Sequence, residues 1–280
     1  KADLEHFCRY IQAEAGAQDA GAGRWRVFGR TIHAGAWPIG IDVQEFKAVA
    51  EGQEARDMYE RMKREYSRRK LLVGVDRLDY SKGLEQRLLG YEQFLHDNAD
   101  MRAEVLLLQV TPISRDDVDT YQDIRGRLDS LAGRINGAYA EMDWQPIRYL
   151  NRTYRRDQLA GIYRAARVGL VTPLRDGMNL VAKEFVAAQN PDDPGVLILS
   201  RFAGAAEQMS EALLVNPFSR EELSDAIKRA LTMPKAERIR KWESLMKVVR
   251  DTDVSVWRDA YVEALRAVVI PDAPAGDMAA

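Results

Sequence analysis

The sequence predicts an α/β fold, a parallel sheet with helices on both faces, and three observations predict it. Short apolar runs of strand length recur along the chain, at Leu71–Asp76, Glu104–Val110, Ile147–Leu150, Val168–Thr172, Val196–Ser200 and Leu213–Val215. Segments with the 3.6-residue period of a helix separate them. Polar turns follow several of the runs, at the strand end where an open parallel sheet gathers its ligand contacts. Right-handed crossovers then bring all of these turns to one rim, although they are more than a hundred residues apart in sequence.

In chain order, residues 1 to 23 read as a helix through about Glu14 that loosens into Ala- and Gly-rich sequence. Arg24 to His33 alternates weakly through Trp25, Val27, Phe28 and Ile32, which predicts a strand. Ala36-Trp37-Pro38-Ile39-Gly40-Ile41-Asp42 carries the Pro and Gly punctuation of an interdomain connection. From Val43 strands and helices alternate, with helices expected near Leu84–Asp97, Asp116–Leu131, Arg156–Ala165, Asn179–Gln189 and Ala203–Ser210. Beyond Asn216-Pro217 three more are expected, at Glu221–Leu231, Lys235–Arg250 and Val254–Val268. The last presents Trp257, Tyr261, Leu265 and Val268 at helical spacing, an apolar stripe that must pack on something. Pro271 to Ala280 reads as a frayed tail.

With 280 residues, 46% apolar and 30% charged, the chain can bury one substantial core or two small ones. Its net charge of −2 gives no field-scale attraction for nucleic acid or an anionic membrane, so any phosphate recognition must be local. The single cysteine, Cys8, excludes an internal disulfide and a cysteine metal cluster, and agrees with a reducing cytosol. His6, His33 and His96 are scattered without ligand spacing, so no metal site is expected. No apolar stretch is long enough to cross a bilayer and no signal peptide opens the chain, so a cytoplasmic location is the expectation. No Gly-x-Gly-x-x-Gly or Walker loop follows any predicted strand, which argues against a dinucleotide dehydrogenase or an NTPase.

Two strand-end turns carry the chemistry. After Leu71-Leu72-Val73-Gly74-Val75 comes Asp76-Arg77-Leu78-Asp79-Tyr80-Ser81-Lys82-Gly83. Arg77 and Lys82 placed there suit a diphosphate, one as a planar fork and the other as a point charge. After Val168-Gly169-Leu170-Val171 comes Thr-Pro-Leu-Arg-Asp-Gly-Met-Asn, running into a helix. Gly177 lets a ligand approach without a Cβ in the way. The amides of Met178, Asn179, Leu180 and Val181 are the open donors of a helix N-terminus, a ready anion site. Asp176 stands on this loop and Glu184 one to two turns into the helix; an ionised carboxylate such as Glu184 only accepts, which suits a pair of ribose hydroxyls.

The wording of these loops closely resembles the signature loops of the trehalose-6-phosphate synthases, retaining glycosyltransferases of family 20. Arg77-Leu78-Asp79-Tyr80-Ser81-Lys82-Gly83 and Arg175-Asp176-Gly177-Met178-Asn179-Leu180-Val181-Ala182-Lys183-Glu184 carry the likeness. Thr111-Pro112-Ile113-Ser114-Arg115, Tyr121-Gln122-Asp123-Ile124-Arg125, Gly133-Arg134-Ile135-Asn136-Gly137 and Ser200-Arg201-Phe202-Ala203-Gly204-Ala205 extend it, from about Trp37 to about Val269. The resemblance implies the Rossmann-like nucleotide-sugar domain of a GT-B glycosyltransferase over residues 43–250. Residues 1–42 are then the tail and linker of an amino-terminal acceptor domain, and 251–270 a helix returning to that domain. It implies transfer of glucose from a nucleotide sugar, UDP-glucose first, to glucose 6-phosphate with retention of configuration and without a metal or other cofactor. It gives Arg77, Lys82 and Asp176 the catalytic positions. Asp176 takes donor hexose hydroxyls, Asn179, Leu180, Val181 and Glu184 complete the donor site, and Arg115 takes the acceptor phosphate.

Most of the amino-terminal domain of that family pattern has no counterpart in this sequence. The chain by itself is therefore expected to bind nucleotide without turnover, and to self-associate through apolar surface left exposed. Two other readings stay open: a related glycosyltransferase with another acceptor, of the glucosylglycerol-phosphate synthase type, and a non-catalytic nucleotide-sugar-binding module. The donor base stays open as well.

Overall fold

The computed structural model describes residues 2–112 and 119–267. It divides into two units, one of Gly40–Asp253 and one of Lys1–Ile39 with the segment that begins at Val254.

In the smaller unit α1 (Ala2–Ala15) precedes an antiparallel sheet of β1 (Gln18–Asp19), β2 (Arg24–Val27) and β3 (Arg30–His33). The single strand expected from Arg24 to His33 is therefore a hairpin. Phe28 and Gly29 make its turn with φ of 53° and 72°, the two positive values that a tight reversal between twisted strands requires. Phe28, an apolar residue where Asn or Gly is usual, hid the turn within the alternation.

The larger unit opens with α2 (Val43–Ala50), capped by the Asp42 carboxylate on Glu45 N, and α3 (Gln53–Glu65). Strands and helices then alternate: β4 (Lys70–Val75), α4 (Leu84–Asp97), β5 (Val105–Val110), α5 (Asp119–Tyr139), β6 (Ile147–Leu150), α6 (Arg156–Ala165), β7 (Val168–Val171), α7 (Leu180–Ala188), β8 (Val196–Ser200) and β9 (Leu213–Val215). The helices α8 (Arg220–Thr232) and α9 (Lys235–Asp251) close the unit. All six strands are parallel, in the order β6-β5-β4-β7-β8-β9. The expected parallel sheet with helices on both faces is the fold observed.

Period-two alternation divides the inner strands between two cores. Leu71, Val73, Val75, Leu106, Leu108 and Val110 face a core completed by α2, α3, α6, α7 and α9. Leu72, Val105, Leu107, Val168 and Leu170 face the other, completed by α4, α5 and α8. Burial on both faces is why these strands read as continuous apolar runs.

The chain leaves β4 towards β5 and β6 in one direction and, after β7, towards β8 and β9 in the other. The sheet therefore changes direction between β4 and β7, where the crevice outside the strand ends lies open.

Two helix expectations are corrected. The segment Ala203–Ser210 holds only a single tight turn, Gly204–Glu207. Its backbone is committed elsewhere, since Gly204 N donates to Asp176 O at 2.9 Å and Ala205 N to Met178 O at 2.8 Å. Conversely α5 runs on to Tyr139, through glycines that read as punctuation, because Ala132 and Ile135 continue its buried stripe; its expected start at Asp116 lies outside the described residues.

The last helix, α10 (Val254–Arg266), belongs to the smaller unit. Trp257 stacks on Tyr261 at 5.7 Å, and Trp37 meets Tyr261 edge-on at 5.5 Å. Tyr261 and Leu265 stay 38% and 55% exposed, so the predicted stripe is only partly covered; Val268 and the tail beyond it lie outside the described residues.

Candidate functional site

The loop after β4 is held by its own side chains. The Asp79 carboxylate accepts from Ser81 N and Ser81 Oγ, both at 2.8 Å, and so caps the tight turn Tyr80–Lys82. Burial pulls the Asp79 carboxyl upward, but the bonds from Ser81 and the charges of Lys82 and Arg77 outweigh it and hold the group below the ordinary carboxylate range. Gly83 then adopts φ +64° at the head of α4, where a Cβ would meet Thr172 O at 2.4 Å. Arg77 is exposed, and no hydrogen bond or ion pair engages it among the described residues.

The loop after β7 lies against the first. Leu174 N and Arg175 N donate to Ser81 O at 2.7 and 3.3 Å. Lys82 Nζ reaches Asp176 Oδ2 at 2.6 Å, with both side chains mostly buried. Asp176 Oδ2 also accepts from Asn179 Nδ2 at 3.1 Å, and Oδ1 from Met178 N at 3.4 Å. A third loop joins through Asp176 N, which donates to Phe202 O at 3.2 Å. Gly204 makes the approach possible, because a Cβ there would stand 2.0 Å from Gly177 O.

Asn179 heads α7 with φ 72°, a left-handed value that Asn tolerates better than most residues. This turns the chain so that the amides of Asn179, Leu180 and Val181 open the helix without an acceptor among the described residues. Asn179 Oδ1 is buried and accepts no hydrogen bond. Within α7, Lys183 is fully buried with Nζ on Thr252 Oγ1 at 3.2 Å, and burial lowers its pKa to about 8. Glu184 is half-buried. Desolvation raises its pKa, and the nearby charge of Arg156, at the start of α6, only partly offsets the rise.

The structure thus brings Arg77, Lys82, Asp176, Asn179, Leu180 and Val181 to the strand-end rim at the point where the sheet changes direction, with Glu184 a turn deeper on α7. Arg115 lies outside the described residues. Sequence reasoning missed the pairing of Lys82 with Asp176, the open Oδ1 of Asn179, and a buried polar set beneath the loops: Asp76, Arg87, Gln109, Thr111 and Thr172. The available signal was that Asp76, Thr111 and Thr172 each end an apolar run with a polar residue. Among the described residues no group of three His, Cys, Asp or Glu side chains is placed to hold a metal ion, and no helix is long and apolar enough to cross a membrane.

A doubly wound parallel sheet with cations and open helix amides at its switch point defines the class: an α/β fold built to take an anionic ligand at the strand ends. Residues 3–267 match Glycosyltransferase family 20, and the chain belongs to that family. It is 46% identical over 265 residues to a trehalose-6-phosphate synthase of Sinorhizobium fredii, covering 95% of this chain and 57% of that protein. A trehalose-6-phosphate synthase of Klebsiella pneumoniae is 44% identical over 266 residues, with 95% and 56% covered. Among solved structures, a UDP-forming α,α-trehalose-phosphate synthase from Burkholderia xenovorans in complex with glucose-6-phosphate superposes with a TM-score of 0.92 at 47% identity, covering 95% of this chain and 59% of that one. A structure from E. coli bound with UDP-2-fluoro glucose gives a TM-score of 0.92 at 41% identity, with 96% and 60% covered. The chain therefore spans somewhat more than half the length of the relatives it matches.

Proposed function

We propose that this chain supplies the donor-binding half of a retaining glucosyl transfer, from UDP-glucose to glucose 6-phosphate, giving trehalose 6-phosphate. The observation that carries the reading is the meeting of Lys82 and Asp176 at 2.6 Å, at the switch point and beside the open amides of α7, in a member of family 20. Cleaving the anomeric bond concentrates charge on the departing diphosphate, so groups that hold the charge more strongly in the transition state accelerate the step. Lys82, the exposed Arg77 and the amides of Asn179, Leu180 and Val181 are those groups.

Asp176, held between the cation and the helix start, takes donor hexose hydroxyls, and Asn179 Oδ1 offers a further acceptor there. Glu184 takes the ribose. From Glu184 the nucleoside runs along α7 towards Arg156 at the start of α6, and the base rests against residues 151–156. A cavity of about 360 Å³ borders that loop, with Arg152, Thr153 and Tyr154 in its wall.

Attack from the face the diphosphate leaves fits the carboxylates present. Asp76 is buried against Arg87 and Asp79 is turned onto Ser81, so neither is free to form a covalent intermediate beside Asp176. Arg115 takes the acceptor phosphate, and sequence that the longer relatives possess completes the acceptor site. The test is titration calorimetry of the chain with UDP in the presence of a chelator. Saturable binding displaced by UDP-glucose is expected, and the absence of both overturns the reading.

A further inference from the structure

A single buried arginine lies under the ligand loops. Arg87, on the first turns of α4, is fully buried, and a guanidinium taken out of water persists only with several partners. It has one on each of three neighbouring strands. Nη2 forms an ion pair with Asp76 Oδ2, just past β4, at 2.7 Å. Nε donates to Thr172 Oγ1, just past β7, at 2.9 Å, and Nη1 donates to Gln109 Oε1 in β5 at 3.0 Å. Gln109 Nε2 in turn donates to Val110 O and Thr111 Oγ1, each at 3.3 Å. Gly74 reserves the space, since a Cβ there would meet Gln109 Oε1 at 2.4 Å and Arg87 Nη1 at 2.6 Å.

Asp76, Thr172 and Arg87 are buried and each adjoins a rim loop. Asp76 is bonded to Arg77, Thr172 begins the segment that leads to Asp176, and α4 starts where the first loop ends. Burial raises the Asp76 carboxyl and Arg87 opposes the rise, while the charges of Lys82 and Asp176 also reach it, so brace and loops share one electrostatic environment. We infer that Arg87 is a positioning residue: one guanidinium spans the switch point, fixes the ends of β4, β5 and β7 against one another, and so sets the distance of Arg77 and Lys82 from the α7 amides. What the loops then hold rests on the nucleotide-sugar reading above; the bracing itself does not.

The test uses Arg87→Lys, which keeps the charge but cannot reach three strands, and Thr172→Val, which removes one arm and leaves the ion pair intact. Hydrogen exchange needs no ligand. About tenfold faster exchange is expected in residues 77–83 and 173–179 together, where Leu174 N bonds Ser81 O, with β8 and β9 unchanged. Exchange that rises only next to the substituted residue, or uniformly over the chain, overturns the inference. The second arm is a double-mutant cycle on UDP affinity with Lys82→Ala, which separates positioning from mere stability. In the unaltered chain Lys82→Ala is expected to weaken UDP about 10- to 100-fold; in the Thr172→Val or Arg87→Lys background the further loss shrinks to about threefold or less. Losses that simply multiply show that Arg87 does not act through Lys82, and overturn it. If Arg87→Lys fails to fold, Thr172→Val decides both arms. An unaltered chain that binds no UDP refutes the functional reading, while the exchange experiment still decides the brace.

Discussion

Replacing Asp176 with Asn is expected to tighten the binding of UDP and to weaken that of UDP-glucose. In the structure the Lys82 ammonium already has a counter-charge at 2.6 Å, and the two side chains are only 15% and 16% exposed. An arriving diphosphate must share that cation and also lie close to the Asp176 charge itself. At an effective dielectric of about 20, two unit charges about 5 Å apart interact by about 3 kcal/mol. Partial exposure reduces this, so removing the carboxylate charge recovers about 1–2 kcal/mol. That corresponds to an affinity for UDP about 5- to 30-fold higher. Asn keeps the shape and an oxygen for Met178 N, and gives up the bond accepted from Asn179 Nδ2. UDP-glucose gains from the same release of Lys82 but loses a charge-assisted hydrogen bond to the hexose, about 1.5–3 kcal/mol, so its affinity should fall relative to that of UDP. Calorimetry of both ligands on both proteins measures it. Weaker UDP binding by the variant would refute the reasoning, because Asp176 would then organise Lys82 for the diphosphate instead of competing for it.

Glu184→Gln should raise the melting temperature at neutral pH. The folded pKa of Glu184 is raised by desolvation, so its charge penalises the folded state above that pKa; the penalty, and the gain from Gln, should fade as the pH falls through the raised pKa towards the ordinary glutamate value. The same variant should bind UDP more weakly and pyrophosphate unchanged, and a lower melting temperature at pH 7 contradicts the sign. Gly204→Ala forces a Cβ to within 2.0 Å of Gly177 O, and should cost about 1–3 kcal/mol of stability, the range for overpacking, together with most UDP affinity. Denaturant unfolding with a midpoint equal to that of the unaltered protein would show that the third loop is not pressed against the second.

The strands were legible almost to the residue because a parallel sheet covered on both faces leaves few polar positions in its interior, Gln109 in β5 being one, and β6, β8 and β9 begin and end where they were expected. Where the reading failed, a force outside the local window decided. The helix expected at Ala203–Ser210 has helical composition, yet the amides of Gly204 and Ala205 bond to Asp176 and Met178 in the loop after β7, and tertiary partners override propensity. The hairpin at Arg24–Val27 and Arg30–His33 escaped because positive φ at Phe28 is stabilised by the strand pairing on either side and leaves no mark in residue type.

The site was legible as residues and illegible as a circuit. Strand-end position singles out Arg77, Lys82 and Asp176, and side-chain chemistry singles out Glu184 on α7, as candidates. Nothing local states that Lys82 and Asp176, 94 residues apart, form an ion pair. That pairing changes what the charges do. Paired at 2.6 Å, the two charges tie the loop after β4 to the loop after β7. Closing the loops this tightly needs Gly83 under Thr172 O and Gly204 against Gly177 O, and it needs the strand ends below to stay in place. Arg87 looks in sequence like one more solvated helix charge; buried, with a partner on each of three strands, it is the residue through which a shift of one loop would be transmitted to the other.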